Sequence, residues 1–182
     1  MSNAVPTRVL MKLKPAFFLW LAVVFFITNL LHEGAHWLAG AALGFDMQFG
    51  LNAVRYLSPT EPWQRMVADA SGPVFTIVQG IVAYVLVQGS GSHIAFAFLY
   101  TAAFSRLTAL LVSVMHPNDE ARVSMYLGRG KWPLPVLVAA GLIALVVMAS
   151  RRLALGWKDQ VPCYLVASLA VSAIVGLDRF VL

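Results

Sequence analysis

A single cysteine, Cys163, stands in a chain of 182 residues, so no internal disulfide can form and no cysteine-rich metal site can be built. Charge is almost as scarce. Asp, Glu, Lys and Arg make up 12% of the residues, where a soluble domain carries roughly 25%, whereas hydrophobic residues make up 60% and the mean hydropathy is +0.78. Such a chain cannot cover its apolar surface with its own polar groups. Lipid must do so, and the sequence reads as an all-α polytopic membrane protein. The net charge of +5 is spread between apolar blocks instead of gathered into a patch, as expected of residues flanking membrane spans and not of a surface for nucleic acid.

Residues 15–31 carry no charge, and the apolar character resumes after residue 36 and continues through Phe45. Arg8, Lys12 and Lys14 with Ala39-Gly40-Ala41 resemble the ends of a secretory signal, but the apolar region exceeds the roughly 7–15 residues of one. It is read as a retained helix. Apolar runs place five spans near 16–43, 66–87, 94–115, 133–150 and 161–177, the last of them short. There is no internal repeat, and the linkers are too short to hold a soluble second domain, so residues 1–182 are read as one membrane domain. Gln88 to His93 reads Gln-Gly-Ser-Gly-Ser-His, a composition suited to tight turning that joins spans two and three as a hairpin. Spans one and three then run the same way.

Between spans one and two, Met47 to Ala53 alternates with the period of a strand, and Gly50, Pro59 and Pro62 oppose a continuous helix. A short strand or hairpin, or else a plain loop, is expected there. The distribution of basic residues does not orient the bundle: Arg8, Lys12, Lys14, Arg151, Arg152 and Lys158 fall on one side, and Arg55, Arg65, Arg122, Arg129, Lys131 and Arg179 on the other.

Within the first span stands His32-Glu33-Gly34-Ala35-His36. On a helix of 3.6 residues per turn, the two histidines share one face at a separation that one metal ion can bridge. Glu33 adjoins the first of them, where its carboxylate can take a proton from water activated by zinc and so deliver hydroxide to a peptide carbonyl. Inside an apolar span a charged side chain costs about 2.5–3.5 kcal/mol on insertion scales, so these three residues require partners. Thr28 and Asn29, one turn earlier, are positioned either to orient an imidazole or to pack helices, and Gly40 with Gly44 forms a helix-contact pattern.

A catalytic zinc takes three protein ligands and leaves a position open. The third span ends in Met115-His116-Pro117-Asn118-Asp119-Glu120-Ala121-Arg122, on the same side as the far end of the first. Asp119 is the leading third ligand, with Glu120 and His116 as rivals. Asp46 follows His36 too soon for the chain to turn back. Asp69 lies early in the second span, where it can alternatively pair with Arg65 or Arg106.

Taken together, the HExxH helix, the Ser71-Gly72-Pro73 element in the next span and Asn118-Asp119 resemble the site-2 protease family of intramembrane metalloproteases, over roughly residues 16–127, with 128–182 as accessory helices. The resemblance implies zinc held by His32, His36 and Asp119, with Glu33 as general base and with Pro73 and Asn118 supporting the substrate. It also implies an edge strand beside the site, here carrying Phe49 and Leu51, that pairs with an unwound substrate. Two positions depart from the family: Glu120 stands where a Gly follows the zinc-binding Asp, and Thr76 where an Asn follows Gly-Pro.

The expected function is therefore zinc-dependent hydrolysis of a peptide bond in or near the transmembrane segment of a membrane protein, with a transmembrane protein or peptide as substrate and the lipid bilayer as surroundings. The small size suggests a prokaryotic cell membrane. A catalytically silent relative that binds membrane helices, or a metal carrier, are the competing classes. The intact HExxH opposes the first, and the scarcity of His and acidic residues in the other spans opposes the second. Oligomeric state and substrate identity are not written in the sequence.

Overall fold

The computed structural model describes residues 12–181, and Arg8 lies outside them. Six helices and one β-hairpin follow in the order α1 (Pro15–Ala42), β1 (Met47–Gln48), β2 (Arg55–Tyr56), α2 (Pro62–Ser90), α3 (His93–Val112), α4 (Asp119–Tyr126), α5 (Pro133–Arg152) and α6 (Trp157–Val181). All but α4 are long and apolar enough to cross a membrane. The chain is an all-α polytopic membrane protein with five such helices and a short hairpin between the first two.

Local signals set the helix ends. Pro15 and Pro62 occupy first-turn positions, where a missing N–H costs nothing. At Glu61, the side chain accepts from the backbone of the third helical residue, and Gln64 returns a bond to the Glu61 N–H. Gly91 ends α2 in the left-handed region (φ 67°), and Ser92 then caps α3 by accepting the Ala95 N–H. The hairpin expected over Gln88 to His93 is thus only Gly91 and Ser92, because α2 continues through Ser90. The fifth span is longer than its apolar run suggested: α6 starts at Trp157, where Asp159 accepts the N–H groups of Lys12, Leu13 and Gly156.

α1, α2 and α3 pack together, α5 lies against α2 and α3, and α6 lies against α1. Phe17 meets Phe96 and Phe25 meets Phe104, so α1 and α3 run parallel. Leu21, Phe96, Leu99 and Val87 are sealed in the centre. At Gly80 the backbone of α2 approaches closely enough that a β-carbon would lie 2.7 Å from Leu142 of α5, the close helix contact that small residues allow in lipid. Large apolar side chains such as Leu19, Val74 and Leu86 face outward.

The predicted alternation over 47–53 is realised as a hairpin whose ladder pairs Met47 with Tyr56 and Gln48 with Arg55. Phe49 and Leu51 lie in its connection instead of on a strand. Two backbone fasteners there replace strand pairing: the Leu51 N–H donates to Asp178 Oδ1 (2.8 Å) from α6, and the Leu51 carbonyl accepts from Asn29 Nδ2 of α1.

Candidate metal centre

His32 and His36 lie on the face of α1 turned toward α2, with ring centroids 4.7 Å apart and planes at 87°. The Nδ1 of His36 lies 2.8 Å from the Ala68 carbonyl oxygen, which can only accept, so that nitrogen carries the proton. Thr76 donates its hydroxyl to the Gly72 carbonyl (3.1 Å) and accepts from Nδ1 of His32 (2.9 Å). In their neutral form both imidazoles therefore carry the lone pair on Nε2, and these two atoms face each other at 3.1 Å.

Into the same space α4 delivers Asp119, the first residue after the Asn118 cap. Its Oδ2 lies 3.3 Å from Nε2 of His32 and 3.4 Å from Nε2 of His36. In that form three lone-pair atoms converge, an arrangement that repels itself unless a cation stands between them or a proton is taken up. Zinc bonded at 2.0–2.2 Å in tetrahedral geometry separates its ligand atoms by about 3.3–3.6 Å, close to the 3.1–3.4 Å seen here. Ligand imidazoles held at the far nitrogen by a carbonyl or hydroxyl also fit a metal centre. Among the described residues, His32, His36 and Asp119 form the one such group of potential ligands.

The local charge points the same way. Glu33, Asp69, Asp119 and Glu120 are buried, and against these four carboxylates stand buried Arg106 and half-buried Arg122. With exposed Arg65, 4.0 Å from Asp69, the formal sum is −1; an excess of negative charge in a low-dielectric setting favours a bound cation.

Gly72 explains the Gly-Pro element structurally. A β-carbon there would overlap Nε2 of His36 and lie 2.7 Å from Cε1 of His32, so only glycine lets α2 back both rings. Pro73 is buried behind it and, lacking an N–H, leaves the Asp69 carbonyl without its helical donor. Thr76 fixes the His32 tautomer. Thr28 and Asn29 do not touch the imidazoles: Thr28 pairs with Gln79, and Asn29 holds the loop at Leu51.

The rival ligands are elsewhere. Glu120 accepts from Arg106 Nη1 at 3.1 Å, and the same nitrogen lies 3.7 Å from Asp119 Oδ2. Both His116 and Asp46 are exposed. Asp69 pairs not with Arg106 but with Arg122 Nε (2.7 Å), with Arg65 more distant at 4.0 Å, and its other oxygen accepts the Tyr56 hydroxyl (3.0 Å). Arg122 also donates to Asp119 Oδ1 at 2.7 Å. Burial and then the Asp69 charge push the Tyr56 phenol up, so its proton stays on.

A cavity of about 700 Å³ opens in front of the cluster. Glu33, Asn118 and Arg106 line it together with the three candidate ligands, as do residues 52–56 of the hairpin and Val171 and Val175 of α6. Phe49, Leu51 and Pro73 are not on its wall. The roles of Arg122, Tyr56 and Asp178 were not read from the sequence, because their partners lie 53, 13 and 127 residues away.

Comparison with models of known families, with characterised proteins and with solved structures finds no match to this chain.

Proposed function

We propose that this chain is an intramembrane zinc metalloprotease of the site-2 type, acting in a prokaryotic cell membrane on a peptide bond in or beside the transmembrane segment of another membrane protein. The observation that carries the reading is the convergence of three potential ligand atoms from His32, His36 and Asp119 beside Glu33, within a cavity among membrane-spanning helices. Zinc held by those residues would supply Lewis acidity toward water and the scissile carbonyl.

Glu33 is the proton carrier in this reading. It takes the proton released as water adds to the carbonyl carbon, and returns it to the amide nitrogen as the C–N bond breaks. Its carboxylate has no hydrogen-bond partner among the described residues, which leaves it available to water. The cavity volume lies within the range of small-molecule and peptide sites, about 300–1,000 Å³. Because the Leu51 N–H and carbonyl and the Asn52 N–H are all engaged, strand addition by the substrate falls to the cavity-lining stretch 53–56.

Zinc content and cleavage of transmembrane peptides in liposomes test the reading on the wild type, Glu33→Gln, His36→Ala and Asp119→Ala. Glu33→Gln is expected to retain zinc while cleavage falls by about 10²–10⁴-fold, and the other two variants lose both. Wild-type protein that binds no stoichiometric zinc, or Glu33→Gln that cleaves normally, overturns it.

A further inference from the structure

The carboxylate of Asp119 is held from two directions. Oδ2 faces the imidazoles, whereas Oδ1 accepts from Nη2 of Arg122 at 2.7 Å. The same guanidinium turns Nε to Oδ2 of Asp69 at 2.7 Å, and Oδ1 of Asp69 accepts the hydroxyl of Tyr56 at 3.0 Å. One unbroken chain of hydrogen bonds therefore runs from β2 through α2 and α4 to the candidate metal ligand. All four members line the cavity.

We propose that Tyr56, Asp69 and Arg122 act as a positioning relay, through which the seating of the β-hairpin sets the orientation of the Asp119 carboxylate and hence the affinity of the centre for its metal. The inference rests on the reading of His32, His36 and Asp119 as a metal centre and does not depend on peptide hydrolysis.

Each joint of the chain uses a different atom. Asp119 gives one oxygen to Arg122 and the other to the imidazoles, and Asp69 gives one to Arg122 and the other to Tyr56. Turning either carboxylate breaks contacts on both sides of it. Arg122 bridges the two acids through separate nitrogens of a planar fork, which a single lysine ammonium cannot reproduce. Arg106 is no substitute, since its Nη1 is engaged by Glu120 at 3.1 Å and lies 3.7 Å from the oxygen on the opposite side of the Asp119 carboxylate. At the other end, the Tyr56 ring meets Phe45 edge-on at 5.7 Å and carries the Arg65 guanidinium at 5.3 Å. Tyr56 is itself a residue of β2, so its hydroxyl moves with the hairpin. A peptide occupying the stretch 53–56 presses on the same hairpin.

The test is the zinc dissociation constant of the full-length protein in detergent, measured by competition with a chromophoric chelator, for the wild type, Tyr56→Phe, Arg122→Gln, Arg122→Lys and the double variant Tyr56→Phe/Arg122→Gln. Loss of an outer partner typically weakens a metal site about 10–100-fold, and that range is expected for Arg122→Gln. Arg122→Lys should fail to restore wild-type affinity. Tyr56→Phe should weaken binding to a smaller degree, and the double variant should be no worse than Arg122→Gln alone, because both changes cut one chain. If Arg122→Gln aggregates on size exclusion, Asp69→Asn cuts the relay at its middle joint and is measured in its place.

Single-variant affinities within about twofold of wild type, full rescue by Arg122→Lys, or penalties that simply add would each overturn the relay while leaving the metal centre intact. A wild type that takes up no zinc overturns both.

Discussion

Gly72 stands so close to His36 that a β-carbon on it would overlap the Nε2 atom. Replacing a mid-helix glycine by alanine ordinarily favours the helix by up to about 1 kcal/mol. Here the added methyl meets two rings that cannot swing away without giving up their bonds to Ala68 and Thr76. Overpacking of this kind costs about 1–3 kcal/mol, a factor of roughly 5–150 when it falls on a binding equilibrium. Gly72→Ala is therefore expected to lower zinc affinity by a factor in that range while circular dichroism shows unchanged helix content. Wild-type zinc affinity in this variant would show that the imidazoles have room to move.

Glu120 and Asp119 are neighbours with different expected phenotypes. Asp119→Asn removes a ligand charge at the converging atoms and should abolish stoichiometric zinc. Glu120→Gln leaves the ligand set untouched but takes the nearest counter-charge from the buried Arg106 guanidinium, whose Nε already lacks a partner and whose next carboxylate, Asp119, lies 3.7 Å away. Breaking a buried pair in this way costs about 3–5 kcal/mol. A markedly lower Tm with retained zinc is expected for Glu120→Gln, and loss of zinc without loss of Tm would make Glu120 the ligand.

Asp178 fastens the hairpin connection through the N–H groups of Leu51 and Asn52, at 2.8 and 3.1 Å. Asp178→Ala should free that connection and make trypsin cut at Arg55 faster, while zinc content stays at the wild-type level. Equal cleavage rates in the two proteins would show that Asn29 alone holds the loop.

What the sequence made legible follows from the range of each interaction. The four-residue spacing of His32 and His36 is a local property of one helix, so it can be read directly. Asp119 required one further step, the antiparallel turn at Gly91 and Ser92, which brings the distal ends of α1 and α3 to the same side. The hairpin was legible as a break in helical pattern, but not its register: the alternation through Phe49 and Leu51 suggested a strand, and Asp178 and Asn29 instead claim the Leu51 backbone. Polar residues at the start of α6 hid a full turn of helix from an apolar criterion, because Asp159 is buried and accepts three backbone N–H groups. Arg122 looked like an ordinary solvated charge at a helix end. Only the tertiary structure puts Asp69 beside it.

The bond from Leu51 to Asp178 spans 127 residues of chain. At the roughly 5–20 residues per second of synthesis, the connection beside the cavity waits on the order of 6–25 s for the partner that fastens it. Until the ribosome has delivered α6, the newborn cavity has one hinge secured and the other open.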